Sequence, residues 1–200
     1  TGGDGADSMT GGIGEDAIVE SGDVDFTLSD DSLVTDDGSP ETDQLVGVEN
    51  ADLTGGESDN TIDASEFDGD TTIHGGEGDD QLTGGGGADV IDGGDGADNI
   101  DGGFGDDELT GGPGDDNLQG ADGQDELTGG DGADIMDGGG GIDELIEAGD
   151  ADFTLSDDSL ITDDGSPETD QLIGVENADL TGGESDNTID ASEFDGDTTI

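Results

Sequence analysis

Aspartate recurs every nine residues through the middle of this chain. Asp80, Asp89, Asp98, Asp107, Asp116, Asp125, Asp134 and Asp143 keep that spacing, and Asp7 with Asp16 repeats it near the beginning. Each closes a six-residue stretch of the form G-G-x-G-x-D, with small deviations. A carboxylate at the end of a flexible, glycine-rich loop is a hard oxygen donor, and the loop's own carbonyls can join it. Calcium takes about six to eight such oxygens in irregular geometry, so it is the ion these loops suit. Magnesium requires near-octahedral geometry and gives up its waters reluctantly, which makes it the weaker candidate. One His and no Cys leave zinc and copper without softer ligands.

The elements that hold these aspartates follow from the same period. Eight units run without a gap from Gly75 to Ile146, beginning GGEGDDQLT and ending GGGGIDELI. Two more, GGDGADSMT and GGIGEDAIV, fill Gly2 to Val19. The first six residues of each unit read as a turn, because glycine accepts positive φ and lets backbones approach closely. The last three read as a very short strand with one inward apolar residue. Those residues are Leu82, Ile91, Ile100, Leu109, Leu118, Leu127, Met136 and Leu145, with Met9 and Ile18 earlier. One such side chain per unit is a thin core, usable only if successive strands stack about 4.8 Å apart. Ala121 is the one break in the second-glycine column.

A longer period of 127 residues lies above the short one: residues 1–73 realign on 128–200 with 11 differences in 73 positions. The chain therefore divides into nonapeptides at 1–19, a spacer at 20–74, eight nonapeptides at 75–146 and a truncated second spacer at 147–200. Within the first spacer, alternation at residues 25–28, 44–48, 51–53 and 71–73 predicts strands, and no helical period persists. Gly55–Asp63 reads as a degraded nonapeptide with Ser58 for a glycine and Asn60 for the aspartate. The spacer is thus expected to continue the stack with weaker metal sites or none. Thr1 falls inside a repeat and neither a signal segment nor an initiator Met is seen, so a piece of a larger tandem protein is expected.

Composition points the same way. The chain has 200 residues, 59 of them acidic, no Lys or Arg, one His, 43 glycines and only 26% hydrophobic residues. A chain this charged and this poor in apolar surface cannot offset its ordering entropy by burial alone. Bound cations would supply free energy and remove charge together. The absence of basic side chains excludes nucleic acid and anionic membranes as partners, and no apolar run approaches the ~20 residues of a membrane helix. Complete loss of Lys and Arg exceeds what calcium requires and points to a high-salt source, where self-repulsion is screened over about 3 Å at 1 M.

The nonapeptide G-G-x-G-x-D-x-U-x resembles the calcium-binding repeat of the RTX (hemolysin-type) family, over about 90 residues of the chain. The resemblance implies an all-β fold, a right-handed parallel β-roll or β-helix solenoid in which two nonapeptides make one turn. It implies calcium between successive turns, held by the aspartates above and by backbone carbonyls. The carbonyls implied are those of Gly75, Glu77, Gly84, Gly86, Gly93, Asp95, Gly102, Phe104, Gly111, Pro113, Gly120, Asp122, Gly129 and Asp131. A site then needs one unit and the next but one, giving about six complete sites in residues 75–146.

Competing chemistry is weakly supported. No EF-hand loop ends in its glutamate, Gly84–Gly87 lacks the lysine of a phosphate loop, and paired carboxylates have no apolar pocket to tune them as glycosidase acids. His74 precedes a glycine turn, where a solvent-facing polar residue is expected. The expected function is calcium-dependent folding of a non-enzymatic module in a large secreted or cell-surface protein, a stalk, adhesin or matrix segment with an undefined partner. The alternative is the export and folding domain of a secreted hydrolase or toxin whose catalytic domain lies elsewhere.

Overall fold

Parallel strands two nonapeptides apart pair with one another in this computed structural model, which describes residues 8–11, 13–37, 40–149, 151–163, 168–183 and 187–200. Gln81–Thr83, Asn99–Phe104, Asn117–Gly123 and Ile135–Asp137 lie side by side in one sheet. Val90–Asp95, Glu108–Pro113, Glu126–Asp131 and Glu144–Gly149 lie side by side in the other. Successive nonapeptides therefore alternate between two sheets, and each pair of units makes one turn of a parallel β-roll. Among the described residues there is no helix.

The register carries the core. Leu82, Ile100, Leu118 and Met136 stand in one row, and Ile91, Leu109, Leu127 and Leu145 in the other. All eight are exposed by 1% or less. Side chains alternate across a strand, so the residues on either side of each of these point outward, which is why one apolar residue per unit suffices.

The strands are longer than the sequence predicts. Val90–Asp95 and Glu108–Pro113 run through the last three residues of one unit and the first three of the next. The G-G-x segment belongs to the ladder, with Gly94 opposite Gly76 and Asp95 opposite Glu77, and only G-x-D remains as the turn. Glycine carries no side chain to crowd a neighbouring turn, so the parallel ladder can continue through it.

The spacer continues the stack and widens one side of it. Ala17–Ser21, Asn50–Thr54 and Asp70–Glu77 follow one another in one sheet. On the opposite side Asp25–Ser29, Ser32–Asp36 and Glu41–Val46 form an antiparallel meander, placed between Ser8–Thr10 and Thr61–Glu66. The second spacer repeats this with Asp152–Ser156, Ser159–Asp163 and Glu168–Ile173. The meander is apolar inside: Phe26, Leu28 and Leu33 are buried, as are Phe153, Leu155 and Leu160. Phe67 is buried just beyond the end of Thr61–Glu66.

Candidate metal centre

Each repeat aspartate from Asp80 to Asp143 is placed where its strand begins, at the end of the turn and against the next turn but one. The eight from Asp80 to Asp143 are exposed by 3% or less. Their first carboxylate oxygen is used by the backbone. The N–H of Asp80 donates to Asp98 Oδ1 at 2.8 Å, Asp98 to Asp116 at 2.8 Å, and Asp116 to Asp134 at 2.8 Å. The other edge repeats the ladder from Asp89 to Asp107, Asp125 and Asp143, at 2.8, 2.9 and 3.0 Å.

The second oxygen is left over. Oδ2 of Asp80, Asp98, Asp107, Asp116, Asp125, Asp134 and Asp143 is buried and has no hydrogen-bond partner. An unpaired polar atom in that position is costly, and an unpaired charge costs several kcal/mol. The first glycine of the unit makes room beside it. A methyl carbon built on Gly102 would fall 2.5 Å from Asp107 Oδ2 and 3.0 Å from the carbonyl oxygen of Gly120. The same convergence of one Oδ2 with the first carbonyl of the next turn but one occurs at Gly75, Gly84, Gly93, Gly111 and Gly120. The partner carbonyls there are those of Gly93, Gly102, Gly111, Gly129 and Gly138. With no side chain on the glycine, one carboxylate and one carbonyl oxygen approach each other closely enough to serve as two ligands of one ion, at calcium–oxygen distances of about 2.3–2.6 Å.

The third-position carbonyls are engaged differently. Those of Asp95, Pro113, Asp122 and Asp131 accept the N–H of Gly78, Gly96, Gly105 and Gly114, at 2.7–3.0 Å. A carbonyl has a second lone pair and can still serve an ion. Glu77, Gly86 and Phe104 occupy the same third position, and Gly75 and Gly84 the first. The Gly75 carbonyl lies beside Gly55 and the amide oxygen of Asn60. Asp16 is half-buried, and Asp7 lies outside the described residues. Among the described residues no three His, Cys, Asp or Glu side chains gather to hold a metal, so an ion at these turns draws on main-chain oxygens as well as carboxylates.

The family model of the RTX calcium-binding nonapeptide repeat, in four copies, matches residues 1–19, 67–99, 74–109, 92–127 and 110–145. The nonapeptides of this chain are RTX calcium-binding repeats. No curated protein matches the chain.

Burial and neighbouring aspartates oppose ionisation in the RTX turns. Burial, then the charges of Asp89 and Asp125, push the Asp107 carboxyl up to about 7 from its ordinary 3.8. Asp116 is raised to about 7 and Asp80 to about 6 for the same reasons. Asp89 departs from the series: its Oδ2 accepts the Gly85 N–H at 2.7 Å, and its Oδ1 accepts the Thr71 hydroxyl at 2.8 Å.

Several carboxylates that the RTX motif does not contain join these ladders. Asp134 donates its N–H to Asp170 Oδ1 at 3.1 Å, and Asp143 to Glu176 Oε2 at 3.0 Å. Glu147 is buried beside them, accepting the Gly129 N–H at 3.0 Å, and burial raises it to about 7. In the first copy Glu49 Oε2 accepts from Asp16 N–H at 3.0 Å. The nonapeptide period cannot reveal Asp170, Glu176 and Glu49, because meander strands separate them in sequence from the turns they touch, whereas Glu147 stands two periods after Gly129 and in phase with it. His74 is half-exposed and lies 3.5 Å from Asp92.

Proposed function

We propose that this chain is a calcium-folded structural segment of a long extracellular or cell-surface protein, in which the 127-residue unit is repeated as a stalk or matrix element. The observation that carries it is the row of seven buried aspartate Oδ2 atoms without partners, six of them converging with a glycine carbonyl of a neighbouring turn. The ligands in this reading are the repeat aspartates from Asp80 to Asp143, together with Asp7 and Asp16, and the first- and third-position carbonyls. The reading assigns about six sites to residues 75–146, at the first glycines from Gly75 to Gly120, where carboxylate and carbonyl converge. The ion supplies positive charge and the missing oxygen partners.

Without cations the buried carboxylates oppose stacking, and the thin apolar column cannot overcome them. With calcium at the millimolar levels found outside cells, where such modules bind at about 10⁻⁴–10⁻³ M, binding energy becomes folding energy. Near identity between the two copies favours a tandem array over an export appendage of a hydrolase or toxin. The reading assigns the chain no catalytic residues.

Small-angle scattering of the chain and of longer arrays of its 127-residue unit tests this. In chelator the chain should have the dimensions of a coil, a radius of gyration of about 48 Å for its length. In calcium it should contract to a rigid particle, and each added unit should lengthen the array by a constant increment. Arrays that stay coil-like in calcium, or that collapse to compact particles, would contradict the stalk.

A further inference from the structure

The eighth nonapeptide ends the run, yet its aspartate is built like the others. Asp143 is fully buried and its Oδ2 has no hydrogen-bond partner. The unit that should face it is replaced by the spacer, and the chain returns 33 residues later with Glu176. Three features of the repeat geometry are then restored. Glu176 Oε2 accepts the Asp143 N–H at 3.0 Å, as Asp143 Oδ1 accepts the Asp125 N–H at 3.0 Å. The Asp143 carbonyl accepts the N–H groups of Glu176 and Asn177, at 3.1 and 3.0 Å. A methyl carbon on Gly138 would fall 2.6 Å from Asp143 Oδ2 and 2.7 Å from the Gly174 carbonyl, so Gly174 stands where the first glycine of a next unit would stand.

The first copy contains the same arrangement. Asp16 N–H donates to Glu49 Oε2 at 3.0 Å, and the Asp16 carbonyl accepts from Glu49 and Asn50 at 3.0 and 3.2 Å. The Gly47 carbonyl meets the space above Gly11, which also lies 2.9 Å from Asp16 Oδ2. Gly47 and Gly174 both take φ +62°, a left-handed conformation that turns the carbonyl-bearing peptide into the stack.

We infer that Gly-Val-Glu in the spacer, Gly47-Val48-Glu49 and Gly174-Val175-Glu176, is a second calcium-ligating motif that closes a site at the seam between nonapeptides and spacer. The ligands are Asp143 Oδ2, the Gly174 carbonyl and the Glu176 carboxylate, and correspondingly Asp16, Gly47 and Glu49. Glutamate suits the position because it approaches from a loop displaced by the meander, and its extra methylene reaches the turn. This rests on calcium binding by the RTX turns and extends it to residues outside the repeat. The seam ion ties each spacer to the roll before it.

The test is the double variant Glu49→Gln/Glu176→Gln in the full chain. Glutamine keeps the oxygen that accepts the aspartate N–H and removes only the charge, so the fold should survive. Bound calcium, counted by equilibrium dialysis and atomic emission, should fall by two ions relative to wild type, and by one in each single variant. Hydrogen exchange reads the seam independently: the amides of residues 174–177 should gain protection with calcium in wild type and lose that gain in Glu176→Gln. Unchanged stoichiometry and unchanged protection in variants that still fold with calcium would overturn the seam sites alone. A wild-type chain that takes up no calcium would overturn the proposed function as well.

Discussion

Asp107 and Asp116 have carboxyls pushed up to about 7, and Asp80 to about 6, chiefly by burial and then by neighbouring aspartates. A carboxyl whose pKa is higher in the folded state than in the unfolded chain favours folding when protonated. That stability is fully present below the unfolded value of 3.8 and is lost as pH rises through about 6 to 7. The calcium-free chain should therefore gain β-structure on acidification from pH 8 to 4. Calcium must displace those protons, so its folding midpoint should move to higher concentration as pH falls through 7 and 6. Circular dichroism across pH, with and without chelator, checks both; equal midpoints at pH 8 and 6 would contradict the buried, ionisable sites. The cradle itself is tested by Gly102→Ala, whose added carbon would lie 2.5 Å from Asp107 Oδ2 and 3.0 Å from the Gly120 carbonyl oxygen and so force these two ligands to shift. That variant should bind one calcium fewer than wild type by equilibrium dialysis. The aspartate column was legible in the sequence because its period is strict. Glu176, Glu49 and Asp170 were not, since their pairing depends on where a meander returns the chain.

At the scale of the strand, one apolar side chain per unit carries the packing, so each should matter more than its size suggests. Leu109 is fully buried between Ile91 and Leu127 in its row. Truncation to alanine should cost about 2–5 kcal/mol. A thermal melt in saturating calcium would register this as a lowered midpoint, and an unchanged melt would mean that the column is not the core. Ala121 makes the opposite case. It takes φ +75° at a position where Gly76, Gly94, Gly103, Gly112 and Gly130 also have positive φ. An L-residue in that region is strained by about 1–2 kcal/mol, partly offset by the lower entropy of its unfolded chain. Ala121→Gly should raise the same melting midpoint, with a net gain of about 0.5–1 kcal/mol. Both residues were marked by the nine-residue pattern alone. Strand length was not: the ladder continues through Gly-Gly because glycine leaves the neighbouring turn unobstructed, and composition rules read glycine as turn. The strand Ser32–Asp36 escaped notice because its alternation is masked by acidic and hydroxyl residues, and only antiparallel pairing with its neighbours fixes it.

Across the whole molecule the balance is between a charge of −59 and a core with one apolar residue per nonapeptide. Acidic groups outside the turns remain to be screened by solvent salt even when every site is filled. The spacers contribute the larger apolar side chains, Phe26, Phe67 and Phe153 among them, and place extra strands in only one of the two sheets. The measurement that tests the central claim most directly is a calcium titration of the chelator-treated chain followed by far-UV circular dichroism, with magnesium as the parallel ion and molar NaCl as a third arm. The account predicts a cooperative coil-to-β transition at submillimolar to millimolar calcium, none with equal magnesium, and a lower calcium midpoint in salt. Folding by magnesium alone, folding by NaCl without calcium, or a coil spectrum at every calcium concentration would contradict it.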